Sequence, residues 1–401
     1  MISIDKAKEL VIEHRLDRKT VQKRLLEAEG RVLSVPVKAP FGSPQFDNSA
    51  MDGFALRWDD VADNDKPTLE IAGESRAGEP WQSKVKDGQA VRINTGAVVP
   101  KGADTVVPVE NCTVDSGFVS INKARKKGDN IRYKGEEYEK GDLLFEKDLL
   151  LNPAVIGALG SIGMGSVEVY KPPKVTIMVT GSELADVEQD EPLKPGQIYD
   201  SNRPMLYSFL KKAGVEEIDT MRVKDDRDST RKAIAAATEH TDMIISTGGV
   251  SVGPHDHIPA ASRDAGFTTV FHKVAQKPGK PIYFAHRDDC LFWGLPGNPV
   301  SAFMTFTYYV YPEICYYLGR DTDFRSHIGR LDKTINNHRE RSVLMRVNGA
   351  VKDREFTIQP IKRQGSHMLL ALTQANGFIA VPPQTEWKQG TEVTFHYFPW
   401  Q

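Results

Sequence analysis

Between residues 175 and 318, short β-type runs and helical patterns alternate at the spacing of crossover units. This alternation constrains the fold more than any other feature of the chain. Residues 175–179 predict a strand ending on Thr180 and Gly181, and residues 204–213 a helix with Leu206, Phe209 and Leu210 inward. Residues 218–223 predict a second strand leading to Asp225 and Asp226, and residues 230–239 a second helix. A third strand begins at Met243, further strands are expected at 268–274, 281–285 and 290–293, and one long helix at 299–318. The expected result is a parallel sheet with helices on both faces, whose ligands sit beyond the carboxyl ends of the strands. Thr180, Gly181, Asp225, Asp226, Gly248, Gly249, Pro296 and Gly297 fall there.

The rest of the 401 residues exceeds what one ordinary core holds, so several domains are expected. Residues 4–30 carry two helical patterns, one on Ile4, Ala7, Leu10 and Val11, the other on Val21, Leu25 and Ala28, closed by Gly30. From about residue 38 to 137, short β-type runs between Gly, Pro and Asp turns predict an inserted β domain. Helix and strand signals return to residue 170, and after Gly319 strand-like runs alone predict a small β-barrel or sandwich. With 40% hydrophobic and 26% charged residues and a mean hydropathy of -0.41, the composition is that of an ordinary globular protein. No run predicts a membrane span, the first residues lack a secretory apolar segment, and a cytoplasmic protein is expected. Cys112, Cys290 and Cys315 fit neither a disulfide framework nor a zinc spacing. A formal charge of -2 gives no general attraction to nucleic acid.

Residues 242–256 form the most informative loop: an apolar run breaks into Gly248, Gly249 and Gly253 and ends on Asp256. Strand, glycine turn and helix start would leave backbone N–H groups facing an anion. Pro254 and Asp256 suit the first turn of the helix. Gly248 and Gly253 have P-loop spacing, but Pro254 and His255 stand where Lys and Ser or Thr are required. A dinucleotide fingerprint fails at Val250. Residues 249–253 do match a nucleophile elbow with Ser251 as nucleophile, although no later Asp and His stand out as partners. His255 and His257 lack further ligands at a metal-binding spacing, so helix-start or surface roles are expected. Asp47, Asp52, Glu183, Asp226 and Asp256 lie at loops beside glycines or strand ends, where hard cations bind and where carboxylates also cap turns. Lys277-Pro-Gly-Lys280 puts two ammonium groups on a stiff turn suited to an oxyanion. Residues 294–301 form another strand-to-helix turn, with Pro299 at the helix start and Ser301 beside the exposed N–H groups.

Five motifs then occur in order: Phe46-Asp-Asn-Ser-Ala-Met-Asp-Gly-Phe-Ala55, Ile93-Asn-Thr-Gly-Ala97, Thr247-Gly-Gly-Val-Ser-Val-Gly253, Lys277-Pro-Gly-Lys-Pro281 and Leu295-Pro-Gly-Asn-Pro-Val-Ser301. Together they resemble the molybdopterin molybdenumtransferase family, which includes MoeA and the gephyrin E domain, over essentially the whole chain. The resemblance implies a multidomain α/β fold. Residues 1–37 and 138–172 would form a split helical or mixed domain, and 38–137 an inserted β domain. Residues 173–320 would form a three-layer, MogA-like parallel-sheet domain for molybdopterin, and 321–401 a small β-barrel. It also implies an elongated homodimer working with other cofactor-synthesis proteins and acceptor enzymes, and no membrane or nucleic acid.

The implied reaction takes adenylylated molybdopterin and molybdate to molybdenum cofactor and AMP, with Mg2+. The resemblance points to Asp52, Thr95, Glu183, Asp226 and Asp256 as catalytic residues, with Asp226 and Asp256 holding the magnesium at the pyrophosphate. Asp52 and Thr95 would complete the cleft, facing the sheet domain of the other subunit. Lys277, Lys280 and Ser301 would hold molybdate, helped by Ser366 and by Arg341 or Arg346. Gly248, Gly249, Ser251, Gly253, Pro296 and Pro299 would line the substrate site. The chain departs from the commoner pattern at Glu137, Ser182, Pro254 and His257. The alternative on the same fold is a non-catalytic, gephyrin-like scaffold or cofactor-binding protein.

Overall fold

The computed structural model describes residues 1–124, 126–188, 192–250 and 257–401. The chain forms two compact units, one of residues 1–34 with 166–401, the other of residues 35–165.

The larger unit is built on a six-stranded sheet in the order Ile218–Val223, Val175–Thr180, Met243–Thr247, Cys290–Leu295, Tyr283–Arg287, Thr268–His272. Its first four strands are parallel. The expectation of an all-parallel sheet is corrected at Tyr283–Arg287, which runs antiparallel to both its neighbours. The cause is local: only Asp288 and Asp289 separate it from Cys290–Leu295, and a two-residue link can only reverse the chain. Asp288 takes the positive φ such turns require.

Strand residues alternate between two cores. Ile177, Val179, Ile245 and Trp293 pack with Leu206, Phe209 and Leu210 of helix Asn202–Ala213 and with the 299–317 helical segment. Met178, Ile244 and Phe292 pack on the other face with Ile234, Ala237, Ile258 and Ala261. The expected single helix at 299–318 is instead Pro299–Thr305, a π-turn at Phe306–Val310, and Tyr311–Tyr317. Pro312 accounts for the change, because it cannot donate a backbone hydrogen bond and its ring crowds the preceding turn.

Helix Ile4–Glu13 is capped by the Ser3 hydroxyl, which accepts from Lys6 N–H at 3.1 Å, and it buries Ile4, Ala7 and Val11 in the first core. The second predicted N-terminal helix is absent. Thr20–Arg24 is a strand antiparallel to Ser166–Tyr170, followed by a 3-10 turn at Leu25–Glu27. Its burial alternates with period two, so the strand pairing overrides the helical spacing of Val21, Leu25 and Ala28.

Five strands close a barrel: Ser342–Lys352 pairs with Glu355–Pro360, then Ser326–Leu331, Glu392–Tyr397 and Gly377–Val381, which returns to the first. Closure leaves no room at Gly377, where a Cβ would lie 2.3 Å from both the His396 carbonyl oxygen and Phe395 Cζ. Because one obstacle is backbone, Gly377→Ala is expected to destabilise the protein by about 1–3 kcal/mol, measured as a lower urea midpoint. Gln276–Lys277 adds outside the barrel, alongside Ser342 and Val343.

The smaller unit holds a six-stranded sheet in the order Thr105–Pro108, Gly53–Leu56, Gln89–Ile93, Thr68–Ser75, Phe118–Ile121, Cys112–Asp115. Phe54, Leu56, Leu69, Val107 and Val119 form its main core. Helix Pro153–Ser161 also belongs to it, capped by Asn152 Oδ1 accepting from Val155 N–H at 3.0 Å. No helix among the described residues is long and apolar enough to cross a membrane.

Candidate functional site

At the carboxyl ends of the parallel strands lies a cleft of about 610 Å³. Glu183, Gly248, Gly249, Pro296 and Pro299, all expected site residues, line it together. Gly248 and Gly249 have φ of +84° and +65°, and Cβ atoms there would meet the Thr180 carbonyl oxygen at 3.0 Å and Ile258 Cγ1 at 2.9 Å. The turn therefore needs glycine for both its backbone angles and its space. Gly279, in the lysine turn, is equally confined, with φ +87° and a Cβ position 2.3 Å from Thr305 Cγ2.

Two expectations about backbone donors are corrected. Gly248 N–H is not free, because it donates to the Leu295 carbonyl at 3.1 Å. At the start of helix Pro299–Thr305, Val300 N–H donates to Ser366 O, and Ser301 and Ala302 N–H both reach Asn298 O. Pro299 has no N–H, so the first three amides after it are already engaged and cations must supply attraction for an anion here.

Those cations come from the lysine turn and the barrel. Pairing of Gln276–Lys277 with Ser342 and Val343 brings Lys277 to the segment carrying Arg341. Lys277 is an exposed residue whose pKa is nevertheless lowered, first by partial desolvation and then by the charges of Arg339 and Arg341. Lys280 is exposed, and its neighbour Pro281 lines the cleft. Likewise Ser366 is bonded through its carbonyl to Val300, and its neighbour His367 lines the cleft.

Arg341 and Arg346 differ in position. Arg346 is buried on the face of its strand shared with Leu344, outside the barrel core, and its Nε donates to Gln364 Oε1 at 3.2 Å and Nη2 to the Arg363 carbonyl at 3.4 Å. Burial lowers its pKa to about 10. Arg341 is half-buried and is the one whose charge reaches Lys277.

Asp226 caps helix Arg227–Thr238, its Oδ1 accepting from Ser229 N–H at 2.8 Å. That hydrogen bond, chiefly, holds its pKa below the ordinary carboxylate value. Asp226 does not line the cleft; it follows the edge strand of the same sheet. In the smaller unit, Asp52 Oδ1 accepts from Thr95 N–H at 2.7 Å and from Thr95 Oγ1 at 3.0 Å, which lowers the Asp52 pKa. Asp47 accepts from Lys134 N–H at 2.8 Å and Glu137 from the Ser43 hydroxyl at 2.8 Å, both turn-stabilising contacts. Ser251, Gly253, Pro254, His255 and Asp256 lie outside the described residues. The described helix after them starts at Ile258, with His257 at its cap position. Among the described residues no group of three His, Cys, Asp or Glu side chains gathers to hold a metal.

Sequence reasoning missed Tyr199, Asp200, Asn202 and Thr247 as lining residues. Asp200 Oδ1 accepts from the N–H groups of Asn202 and Arg203, both at 3.1 Å, and Asn202 Nδ2 donates to Gly297 O at 2.8 Å. The available signal was Gly196-Gln-Ile-Tyr-Asp-Ser-Asn202, a glycine turn and an Asx cluster at the start of helix Asn202–Ala213.

Comparison with known proteins matches residues 2–163 to the MoeA N-terminal region (domain I and II). Residues 176–315 match a "Probable molybdopterin binding domain", and 329–398 the MoeA C-terminal region (domain IV). The chain is 35% identical over 396 residues to the molybdopterin molybdenumtransferase of Haemophilus influenzae, covering 95% of this chain and 94% of that one. It is 33% identical over 393 residues to that of Bacillus subtilis, covering 96% and 91%. A solved structure of a molybdopterin biosynthesis MoeA protein from Pyrococcus horikosii aligns with a TM-score of 0.86 at 28% identity, covering 99% of both chains.

Proposed function

The chain belongs to the molybdopterin molybdenumtransferase family, enzymes of molybdenum cofactor biosynthesis, and on that premise we propose that it inserts molybdenum from molybdate into adenylylated molybdopterin and releases AMP. The observation that carries the reading is the cleft itself. It unites Glu183, the Gly248-Gly249 turn, Pro296 and Pro299, with the chain neighbours of Lys280 and Ser366 on its wall. Molybdate is a tetrahedral dianion, and Lys277, Lys280 and Arg341 supply fixed positive charge for it. A bound anion would offset the desolvation and the like charges of Arg339 and Arg341 that disfavour the charged form of Lys277. Ser301 is buried at the helix start, where its hydroxyl would orient one oxyanion oxygen.

The donor set suits magnesium held in the manner of phosphate-transfer sites, where one or two carboxylates and substrate phosphates share the ion. Asp226 uses one oxygen for its cap and keeps the other open to solvent; with Asp256 it would hold Mg2+. When bound, the ion would neutralise charge at the pyrophosphate and polarise the bond to be cleaved. Asp226→Asn separates the two roles. The amide oxygen preserves the cap, so stability is expected to stay within about 0.5 kcal/mol, whereas the magnesium concentration for half-maximal activity rises. An unchanged magnesium requirement would assign Asp226 to capping alone.

The Asp52–Thr95 pair is proposed to serve the same reaction, and the protein to act as a homodimer; sedimentation velocity measures the latter. The transfer itself is tested by incubating the protein with adenylylated molybdopterin, magnesium and molybdate, then isolating the pterin product and measuring its molybdenum content. Stoichiometric molybdenum in the pterin fraction is the expected result, and a pterin product free of molybdenum would sink the reading.

A further inference from the structure

Beneath the lysine turn lies a buried polar pair that the anion reading does not use. Gln276 is fully buried, and its Nε2 donates to the carbonyls of Pro278 at 3.1 Å and Gly279 at 3.4 Å. Its Oε1 accepts from the Tyr309 hydroxyl at 2.5 Å. Tyr309 is 2% exposed and lies in the π-turn Phe306–Val310, a local widening of the helix of a kind often found at functional sites. Ser301, Thr305 and Tyr309 recur every fourth residue along this segment, and each reaches the turn. A Cβ at Gly279 would stand 2.3 Å from Thr305 Cγ2 and 3.7 Å from the Ser301 carbonyl oxygen, and Tyr309 holds Gln276.

Stability alone does not call for this pair. A buried amide and hydroxyl must satisfy each other, whereas two apolar side chains of the same shape would serve the core as well or better. What the hydrogen bonds add is direction, because a satisfied buried network admits one arrangement. The arrangement here concerns the turn between Val274 and Ile282. Its base is closed by Val274 N–H donating to Lys280 O at 3.0 Å, and it is tied to the barrel by Ser342 N–H donating to Ala275 O at 3.1 Å. At its tip the carbonyls of Pro278 and Gly279 face the buried Gln276 amide, while Lys277 and Lys280 are exposed. Two carbonyl oxygens are thereby kept toward the core and off the side that carries the ammonium groups, where they would repel an oxyanion.

Resting on the transfer reading above, we propose that Gln276 and Tyr309 are positioning residues for molybdate: their hydrogen bond fixes the tip of the turn and, through it, the spacing of Lys277 and Lys280. Neither residue touches the anion. The Tyr309 hydroxyl engages Oε1, which sets the amide with Nε2 toward the turn. Burial raises the Tyr309 pKa well above the ordinary tyrosine value, so the hydroxyl stays protonated and donates throughout the neutral range. When the bond is lost the turn no longer holds one shape, and the two ammonium groups meet the tetrahedral anion at variable spacing.

The test uses the full chain and three variants, Tyr309→Phe, Gln276→Met and the two combined. Tyr309→Phe keeps the shape but leaves Gln276 Oε1 without its donor, and Gln276→Met releases both carbonyls. The double variant makes the contact apolar, so its urea midpoint is expected to recover relative to the single variants. The KM for molybdate is expected to rise by about 10-fold in Tyr309→Phe and by about 10- to 100-fold in Gln276→Met and the double variant, with the KM for adenylylated molybdopterin unchanged. A merely structural pair predicts that activity follows the urea midpoint. Recovery of both in the double variant therefore overturns the proposal, as does an equal rise in the two KM values. Tyr309→Phe keeps the test decisive if Gln276→Met does not fold. Molybdate binding read by calorimetry without pterin separates the proposal from the transfer reading. If the wild type binds molybdate more tightly than the variants but transfers none, the positioning role stands and the transfer reading fails. If the wild type transfers molybdenum and the folded variants keep its molybdate KM and affinity, the positioning role alone fails. A wild type that neither binds nor transfers molybdate overturns both.

Discussion

Lys277→Ala is expected to lower kcat/KM for molybdate by about 10²- to 10³-fold, the usual effect of removing one fixed donor from an oxyanion site. The site's geometry makes this the most sensitive position. Lys277 sits where the Gln276–Lys277 strand joins the barrel, with partial desolvation, Arg339 and Arg341 all disfavouring its charged form. An anion relieves that strain and a neutral side chain forfeits it. The confining Gly279 and the buried Gln276 fix the turn, so the loss is one of charge rather than of loop structure. Because its pKa lies below the ordinary lysine value, activity should fall on the alkaline side earlier than a free lysine would dictate. Lys277→Arg would extend that limb while retaining part of the activity, since guanidinium stays charged throughout. An alanine variant as active as wild type at limiting molybdate would remove Lys277 from the anion site.

Arg15→Ala is expected to destabilise the protein by about 3–5 kcal/mol at pH 8, by leaving Glu313 buried without its partner. Glu313 is fully buried at the start of helix Tyr311–Tyr317, and its Oε2 receives Arg15 Nε at 2.9 Å while Oε1 has no partner among the described residues. Burial pushes the Glu313 pKa up to about 7, with Arg15 opposing the shift. A carboxyl whose folded pKa exceeds its unfolded one stabilises the protein fully below the unfolded value, and that contribution is lost as pH rises through the folded value. Stability from this group should therefore decline by on the order of 3 kcal/mol between about pH 4.5 and pH 7. Glu313→Gln should flatten that decline. The cost of Arg15→Ala should be smaller at pH 5, where Glu313 is neutral, than at pH 8. Urea unfolding at the two pH values checks both; equal costs at both would mean that Glu313 carries no charge-dependent burden.

Much of the fold was legible because its signals are local. Strand Val175–Thr180, helix Arg227–Thr238 and four of the five barrel strands follow from hydrophobic period and turn residues within a few positions, Ser326–Leu331 being the one missed. The failures arose where a distant partner decided the outcome. Thr20–Arg24 has a helical spacing but a strand to pair with 146 residues on, at Ser166–Tyr170. The reversal at Asp288 and Asp289 was readable as a hairpin turn, yet the alternation of strands and helices suggested another crossover.

The site divides in the same way. Glycine turns and lysines stand out by residue type, and the cleft collected Gly248, Gly249 and Gly297 as strand-end geometry requires, whereas no lysine lines it. Whether an N–H is free does not show in a sequence, so the engaged amides of Gly248, Val300, Ser301 and Ala302 were missed. Nor does sequence show that Tyr309 reaches back 33 residues to Gln276, which is why that pair emerges only once the chain is folded. Arg341 and Arg346 look alike in sequence, but the fold buries the second against Gln364 and leaves the first half-buried.

The measurement closest to the central claim is AMP release from adenylylated molybdopterin by the full chain with magnesium, with and without molybdate. AMP that appears only when molybdate is present, one equivalent for each molybdenum taken up by the pterin, is the predicted result. AMP formed at the same rate without molybdate, or no AMP under either condition, would contradict it.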